Sequence, residues 1–339
     1  MASSVHSIIS TLHYLAKFFG IYLFTLNSLT LHPEFKISDL ICGSVAIIFY
    51  GIISYIHWMH AFVYIKINSR IVEKGIPIMM TLHYFLYTTI IMLSNIKRKD
   101  FGEICKNLTE VDKSFEYFDT KFDYKKISGT VRIAVIKLMT WITALVLLGA
   151  VLAYKFDDIK RHEEHVFFFW CLSIASIVMM SFKFSAIGIS RRFFRVNEML
   201  SSFTQSEIHN TELFTMRIRK LSNIHYKISN TIKLINRTFS VSLTLYFFIF
   251  FCWFCMFLYI VIRFLNNPSK FYTMGFSRIL LNFTLDGLMI SAIRSSNNAA
   301  REGKRTKEFL FKMRNECWDE QVAREVRMGC SGGNIERNG

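Results

Sequence analysis

The stretch Cys252-Trp253-Phe254-Cys255 carries the spacing of a redox dithiol, which could exchange disulfides with a substrate. That chemistry needs a thiolate near water, whereas these cysteines sit in an unbroken apolar run, so packing is the better account. His57 and His60 stand about one helical turn apart, yet no acidic residue or cysteine nearby completes a metal shell. No phosphate-cradling glycine loop, nucleophile elbow or paired-histidine zinc motif occurs. The expectation is a protein that is not an enzyme and holds neither metal nor cofactor. Three ionisable residues inside apolar stretches remain: Lys137, Lys183 and Asp286. A charge near the middle of a bilayer costs at least about 2.5–3.5 kcal/mol. Two readings stand: Asp286 pairs with Lys137 or Lys183 between helices, or both lysines snorkel to the interface.

Those residues need elements to hold them. The chain has 339 residues, 52% hydrophobic and 16% aromatic, with only three prolines, Pro33, Pro77 and Pro268. Its apolar residues are gathered into blocks of roughly twenty, the length that crosses a bilayer as a helix. Six such stretches are predicted: 40–65, 76–93, 131–153, 166–189, 239–262 and 276–293. Residues 5–25 are a weaker case, broken by Lys17, and read either as a helix at the membrane interface or as a further span. The fold class is all-α, a polytopic membrane helical bundle with cytosolic helical extensions. Its parts are an N-terminal cytosolic or interfacial segment (1–39), a membrane domain (40–293) and a cytosolic C-terminal tail (294–339).

Charge orients the bundle. Segments 94–130, 190–238 and 294–339 carry 8, 9 and 10 Lys plus Arg, against 3, 3 and 2 in the connections 66–75, 154–165 and 263–275. Basic residues accumulate on the cytosolic side, which places the three long segments and both termini inside the cell. The net charge of +16 is thus a topology signal, and no nucleic-acid partner is expected. The cytosolic segments are patterned as well. Phe101, Ile104, Leu108, Val111, Phe115, Phe118 and Phe122 alternate spacings of three and four, the seam of one helix buried against others. Leu221, Ile224, Ile228, Ile232, Ile235 and Phe239 do the same straight into the fifth span, so that helix extends well into the cytosol. The seven cysteines do not form a secreted disulfide framework.

A family resemblance enters at the second cytosolic segment. The run Arg191-Arg192-Phe193-Phe194-Arg195-Val196-Asn197-Glu198-Met199-Leu200 resembles the basic, aromatic segment that insect gustatory receptors carry after their fourth span. Leu221, His225 and Leu234-Ile235-Asn236-Arg237-Thr238-Phe239 are similar to the family's landmarks leading into the fifth span. Ala299 to Leu310, with Arg301-Glu302 and Arg305-Thr306, resembles the helix after the sixth, and Tyr14-Leu15-Ala16-Lys17-Phe18-Phe19-Gly20 fits near the start. The likeness covers about residues 10–314. It implies a seven-helix chemosensory receptor at the plasma membrane, a ligand-gated cation channel of four like or unlike subunits that detects a small-molecule tastant. The landmarks Asn197, His225 and Asn236 then serve helix contacts in a shared cytosolic anchor. The family's seventh-helix signature, Thr-Tyr, an apolar run and Gln-Phe, is missing from the residues after Asn315, which pass through Cys317, Trp318 and Gly332-Gly333. The resemblance therefore implies a shortened subunit, without a pore of its own.

A ligand pocket between the outer halves of the spans would draw on Met80, His83, Tyr84, Tyr154, Trp170, Asn282 and Phe283, apolar walls with a few polar groups. A transporter is a rival reading, though no internal repeat supports it; a G-protein-coupled receptor is another, and it requires an external N-terminus. The glycosylation sequons at Asn107, Asn236 and Asn282 fall in the cytosol or the membrane by this topology. All three are expected to stay unmodified, so treatment with a peptide N-glycosidase should leave the protein's gel mobility unchanged.

Overall fold

The computed structural model describes residues 2–28, 30–64, 70–119, 122–156, 162–202, 211–266 and 272–316. Among the described residues the chain folds into eight helices and one small ladder. The helices are α1 (Ala2–Phe18), α2 (Ile37–Tyr64), α3 (Arg70–Ile96), α4 (Arg98–Glu116), α5 (Tyr124–Phe156), α6 (His162–Ser201), α7 (Thr211–Asn266) and α8 (Tyr272–Glu316). Long helices follow from long apolar runs with few breakers. In lipid, each backbone N–H and C=O must find its partner inside its own segment, and a helix achieves this without neighbours.

Four described stretches are long and apolar enough to cross a membrane: Ile37–Ile56, Tyr124–Val151, Phe169–Ser201 and Phe214–Cys252. The remaining two expected spans, 76–93 and 276–293, fall within α3 and α8, where some of the side chains of each lie outside the described residues. α7 has 56 residues, ~84 Å at 1.5 Å per residue, against a hydrocarbon core of about 30 Å. It therefore projects far beyond any bilayer, as its unbroken sequence predicts.

The projecting parts gather at the end of the bundle that carries the basic segments. α4 buries Phe101, Ile104, Leu108, Val111 and Phe115 along one face. α7 answers with Leu221, Ile224, Ile228, Ile235 and Phe239, all buried in the same core cluster. The expected seam is corrected at its far end. The helix stops at Glu116, and the chain turns through Asp119, whose φ is 52°. Phe118 and Phe122 still pack on the core, but from the connection, with the Phe122 ring 5.4 Å from Phe115.

Between α1 and α2 the chain makes a ladder that the sequence does not announce. β1 (Thr25–Leu26) pairs antiparallel with β2 (Pro33–Glu34), setting Thr25 opposite Glu34. This hairpin presses Phe24, Leu26 and Leu31 into the core. Gly102 allows the approach, since a Cβ there would meet Pro33 Cδ at 2.8 Å and the Leu31 carbonyl at 3.1 Å. α1 is fixed from the same region. Lys17, which interrupts its apolar run, donates to Asp39 at 2.5 Å and to Thr25 at 2.9 Å, while Thr25 donates to Asp39 at 2.6 Å.

The strongest polar tie joins α4 to α6. Arg192 Nε donates to Asp112 at 2.8 Å and Nη2 to the second carboxylate oxygen, while Nη1 donates to the Gly188 carbonyl at 2.9 Å. Tyr124, opening α5, donates to Asp112 at 2.5 Å, and the guanidinium lies 5.4 Å from the Phe122 ring centre. Both charged side chains are nearly dry, 8% and 1% exposed. α4 and α7 are joined nearer solvent by Arg237 to Asp100 and Lys227 to Glu110, the latter at 2.9 Å. The Lys227 hydrogen bond holds the Glu110 carboxyl below its ordinary range. A carboxyl lowered in the folded state stabilises at neutral pH and loses that contribution as pH falls through its folded pKa. Both partners are about a third exposed, so the pair contributes no more than about 0.2–1 kcal/mol.

Removing one partner of the dry pair leaves an uncompensated charge. Asp112→Ala is expected to cost about 3–5 kcal/mol of stability, read as a lowered thermal unfolding midpoint in detergent. The joint replacement Asp112→Leu with Arg192→Met should cost less than either single change, whereas Lys227→Ala should shift the midpoint little.

Candidate functional site

Two assemblies hold four of the residues singled out by sequence: His83 and Tyr84 in one, Asn197 and His225 in the other. The first lies where α2, α3, α6 and α7 meet. Tyr50 of α2 stacks on Phe167 of α6 and on Tyr84 of α3, with ring centres 5.9 Å apart in each case. Tyr87 meets Tyr50 edge-on at 4.9 Å, and His83 lies 6.3 Å from Tyr87 and 6.4 Å from Phe167. The Tyr87 hydroxyl donates to the Cys171 carbonyl. Tyr246 of α7 is buried beside Cys171, and its hydroxyl has no hydrogen-bond partner among the described residues. The Ser54 hydroxyl, one turn beyond Tyr50, is in the same condition.

The predicted pocket residues divide accordingly. His83 and Tyr84 belong to this cluster. Trp170 packs elsewhere, 4.8 Å from Phe19 and 5.2 Å from Phe49. Phe283 of α8 is 63% exposed and joins neither group. The side chains of Met80, Tyr154 and Asn282 lie outside the described residues, as do those of His57 and His60. Sequence reasoning missed Tyr50, Ser54, Tyr87, Phe167 and Tyr246. Only Tyr87 carried a local signal, sitting one turn from both His83 and Tyr84.

Of the two readings of the intramembrane charges, pairing is not seen: among the described residues no ion pair joins Asp286 to Lys137 or Lys183. Lys137 is exposed on α5, and Lys183 and Asp286 are half-buried on α6 and α8. Spacing along the chain could not reveal which charges meet.

The second assembly is centred on Phe193 of α6. Its ring is 5.5 Å from that of His225 on α7. On the other side lies Gly303 of α8, where a Cβ would meet the ring at 3.2 Å. Four residues on, Asn197 donates to the Glu302 carbonyl at 3.1 Å and to its carboxylate at 2.9 Å. Thr306, fully buried, donates back to the Glu302 carbonyl at 3.0 Å. Asn197 and His225 thus sit at a three-helix junction, whereas Asn236 is exposed and makes no hydrogen bond among the described residues.

This order of apolar helices, with the junction after the fourth expected span, matches the model of the 7tm chemosensory receptor family over residues 9–328. The chain belongs to the 7tm chemosensory receptor family. The match takes in nearly all of α1 through α8 and agrees with the gustatory likeness of the Arg191–Leu200 run. No curated protein matches this chemosensory receptor.

The two assemblies differ in composition. The aromatic cluster offers flat apolar surfaces with two hydroxyls that have no partner among the described residues, which is the composition of a small-molecule site. The Phe193 junction is joined by close packing and by Asn197 bonding across to Glu302, although Asn197 Oδ1 and His225 Nδ1 also lack a partner among the described residues. Because any side chain where α8 crosses Phe193 would crowd the ring, Gly303→Leu is expected to cost about 1–3 kcal/mol through overpacking. Phe193→Ala should cost about 3–5 kcal/mol through the cavity it leaves. Both are measured as thermal midpoints of the purified protein, with Asn236→Ala as the unaffected comparison.

Proposed function

We propose that this receptor is a gustatory-type subunit of a ligand-gated cation channel at the plasma membrane, detecting a small-molecule tastant. In this reading it is a sensor and not an enzyme. It crosses the membrane several times with a cytosolic N-terminus, and its basic-end helices join those of three like or unlike subunits. The observation that carries the reading is the aromatic cluster around Tyr50, in which Ser54 and Tyr246 keep buried hydroxyls without partners among the described residues. Burying such a group unbonded costs about 1–3 kcal/mol. A ligand that bonds them recovers that cost while its apolar part stacks on Tyr84, Tyr87 and Phe167.

α7 supplies a route from ligand to anchor. Tyr246 and His225 lie on the same uninterrupted helix, 21 positions apart, or ~30 Å. A ligand that prefers one setting of Tyr246 thereby biases where His225 meets Phe193, and with it the population of the open channel.

The test is current recorded from cells that co-express the receptor with pore-forming gustatory subunits, screened with sugars, amino acids and alkaloids and compared with cells expressing those subunits alone. Tyr246→Phe is expected to raise the half-maximal concentration of an active compound about 3–10-fold, the worth of one hydrogen bond. His83→Ala should act in the same direction, and Phe283→Ala should have no effect. An N-terminal tag should be reached by antibody only after permeabilisation. Unchanged responses in both cluster variants, or a tag stained on intact cells, would overturn the reading.

A further inference from the structure

A cavity of about 130 Å³ lies where α1, α4, α5 and α6 converge toward the basic end, lined by none of the aromatic-cluster residues. Its walls are largely apolar, with Leu12, Ile104, Leu108, Val131 and Phe184 prominent. Apolar cavities of about 150 Å³ accept a body the size of one benzene ring. Five hydroxyl-bearing residues interrupt the lining: Tyr22, Tyr124, Thr130, Ser181 and Ser185.

The hydroxyl hydrogens of Thr130, Ser181 and Ser185 are committed to carbonyls four residues back, at 2.9 Å to Lys126, 2.8 Å to Ile177 and 2.8 Å to Ser181. Each oxygen keeps acceptor lone pairs, and Ser181 also hydrogen-bonds Tyr22, so Thr130 and Ser185 are the acceptors available to an occupant. The dry charge in the lining is also committed. Arg192 spends its guanidinium on Asp112 and Gly188, and Asp112 accepts from Tyr124 as well. The site therefore has no spare buried cation to attract a carboxylate or phosphate. Thr130 and Arg191 are exposed at its rim, which gives a way in.

We propose that this cavity is a second binding site, separate from the Tyr50 cluster, for a compact neutral molecule that carries one hydrogen-bond donor on an apolar ring. The occupant fills the space beside the Arg192–Asp112–Tyr124 network and contacts four helices at once. It binds the packed arrangement of these helices and so stabilises it by mass action.

The probe is para-fluorobenzyl alcohol, followed by fluorine NMR with the purified 339-residue chain in micelles and protein-free micelles as reference. Saturable line broadening above the micelle reference is expected for the unmodified protein. Ser185→Leu, which fills the space and removes an acceptor, should weaken binding at least tenfold. Thr130→Leu, at the exposed rim where folding tolerates change, should weaken it in the same direction. Tyr246→Phe should leave it unaltered. para-Fluorobenzoate, equal in shape but charged, should bind at least tenfold more weakly. The proposal is overturned if no saturable broadening appears, if a folded Thr130→Leu protein binds the alcohol as the parent does, or if the benzoate binds equally well.

Discussion

Asp112 and Arg192 face each other with almost no water around either, and the basic end of the molecule is arranged to permit it. Two ions taken from water lose several kcal/mol of solvation each, recovered only when geometry and further hydrogen bonds are good. Here the guanidinium meets both carboxylate oxygens and a backbone carbonyl, while Tyr124 occupies part of the carboxylate that would otherwise face apolar walls. Three helices must hold register to about an ångström for this to work. The tie between α4, the start of α5 and the end of α6 is thus made by side chains, beside the cavity that lies among these helices.

The two assemblies differ in how their helices are joined. Around Phe193 a hydrogen-bonding side chain crosses between helices, Asn197 donating to both the carbonyl and the carboxylate of Glu302. Around Tyr50 the helices meet mainly through stacked rings. Each assembly also buries polar atoms without a partner among the described residues, Asn197 Oδ1 and His225 Nδ1 in the first, the Ser54 and Tyr246 hydroxyls in the second.

Periodicity made the helices and the α4 and α7 seams legible, because burial of one face imposes spacings of three and four on any sequence. The end of α4 escaped it. Asp119 rather than glycine takes the left-handed turn, so Phe118 and Phe122 kept the heptad rhythm beyond the helix that produced it. The hairpin at 25–34 escaped because two residue pairs are too few to show alternation. Partners distant in sequence were the harder loss. Arg192 and Asp112 lie 80 positions apart, and nothing local in either distinguishes a buried pair from two surface charges. Likewise His83 and Tyr84 could be picked out as polar groups on an apolar stretch, but Tyr50 and Tyr246 join them only through packing between helices.

Lys17 and Asp39 sit on opposite sides of the hairpin, on α1 and the first turn of α2. While the chain is being made, Lys17 emerges without its counter-ion, and α1 has no clasp until the ribosome has released the hairpin and the start of the next helix. The opening segment thus has reason to wait in the aqueous or headgroup layer and to be seated from behind. Assembly of this receptor at its N-terminus is accordingly a backward step, with the second helix securing the first.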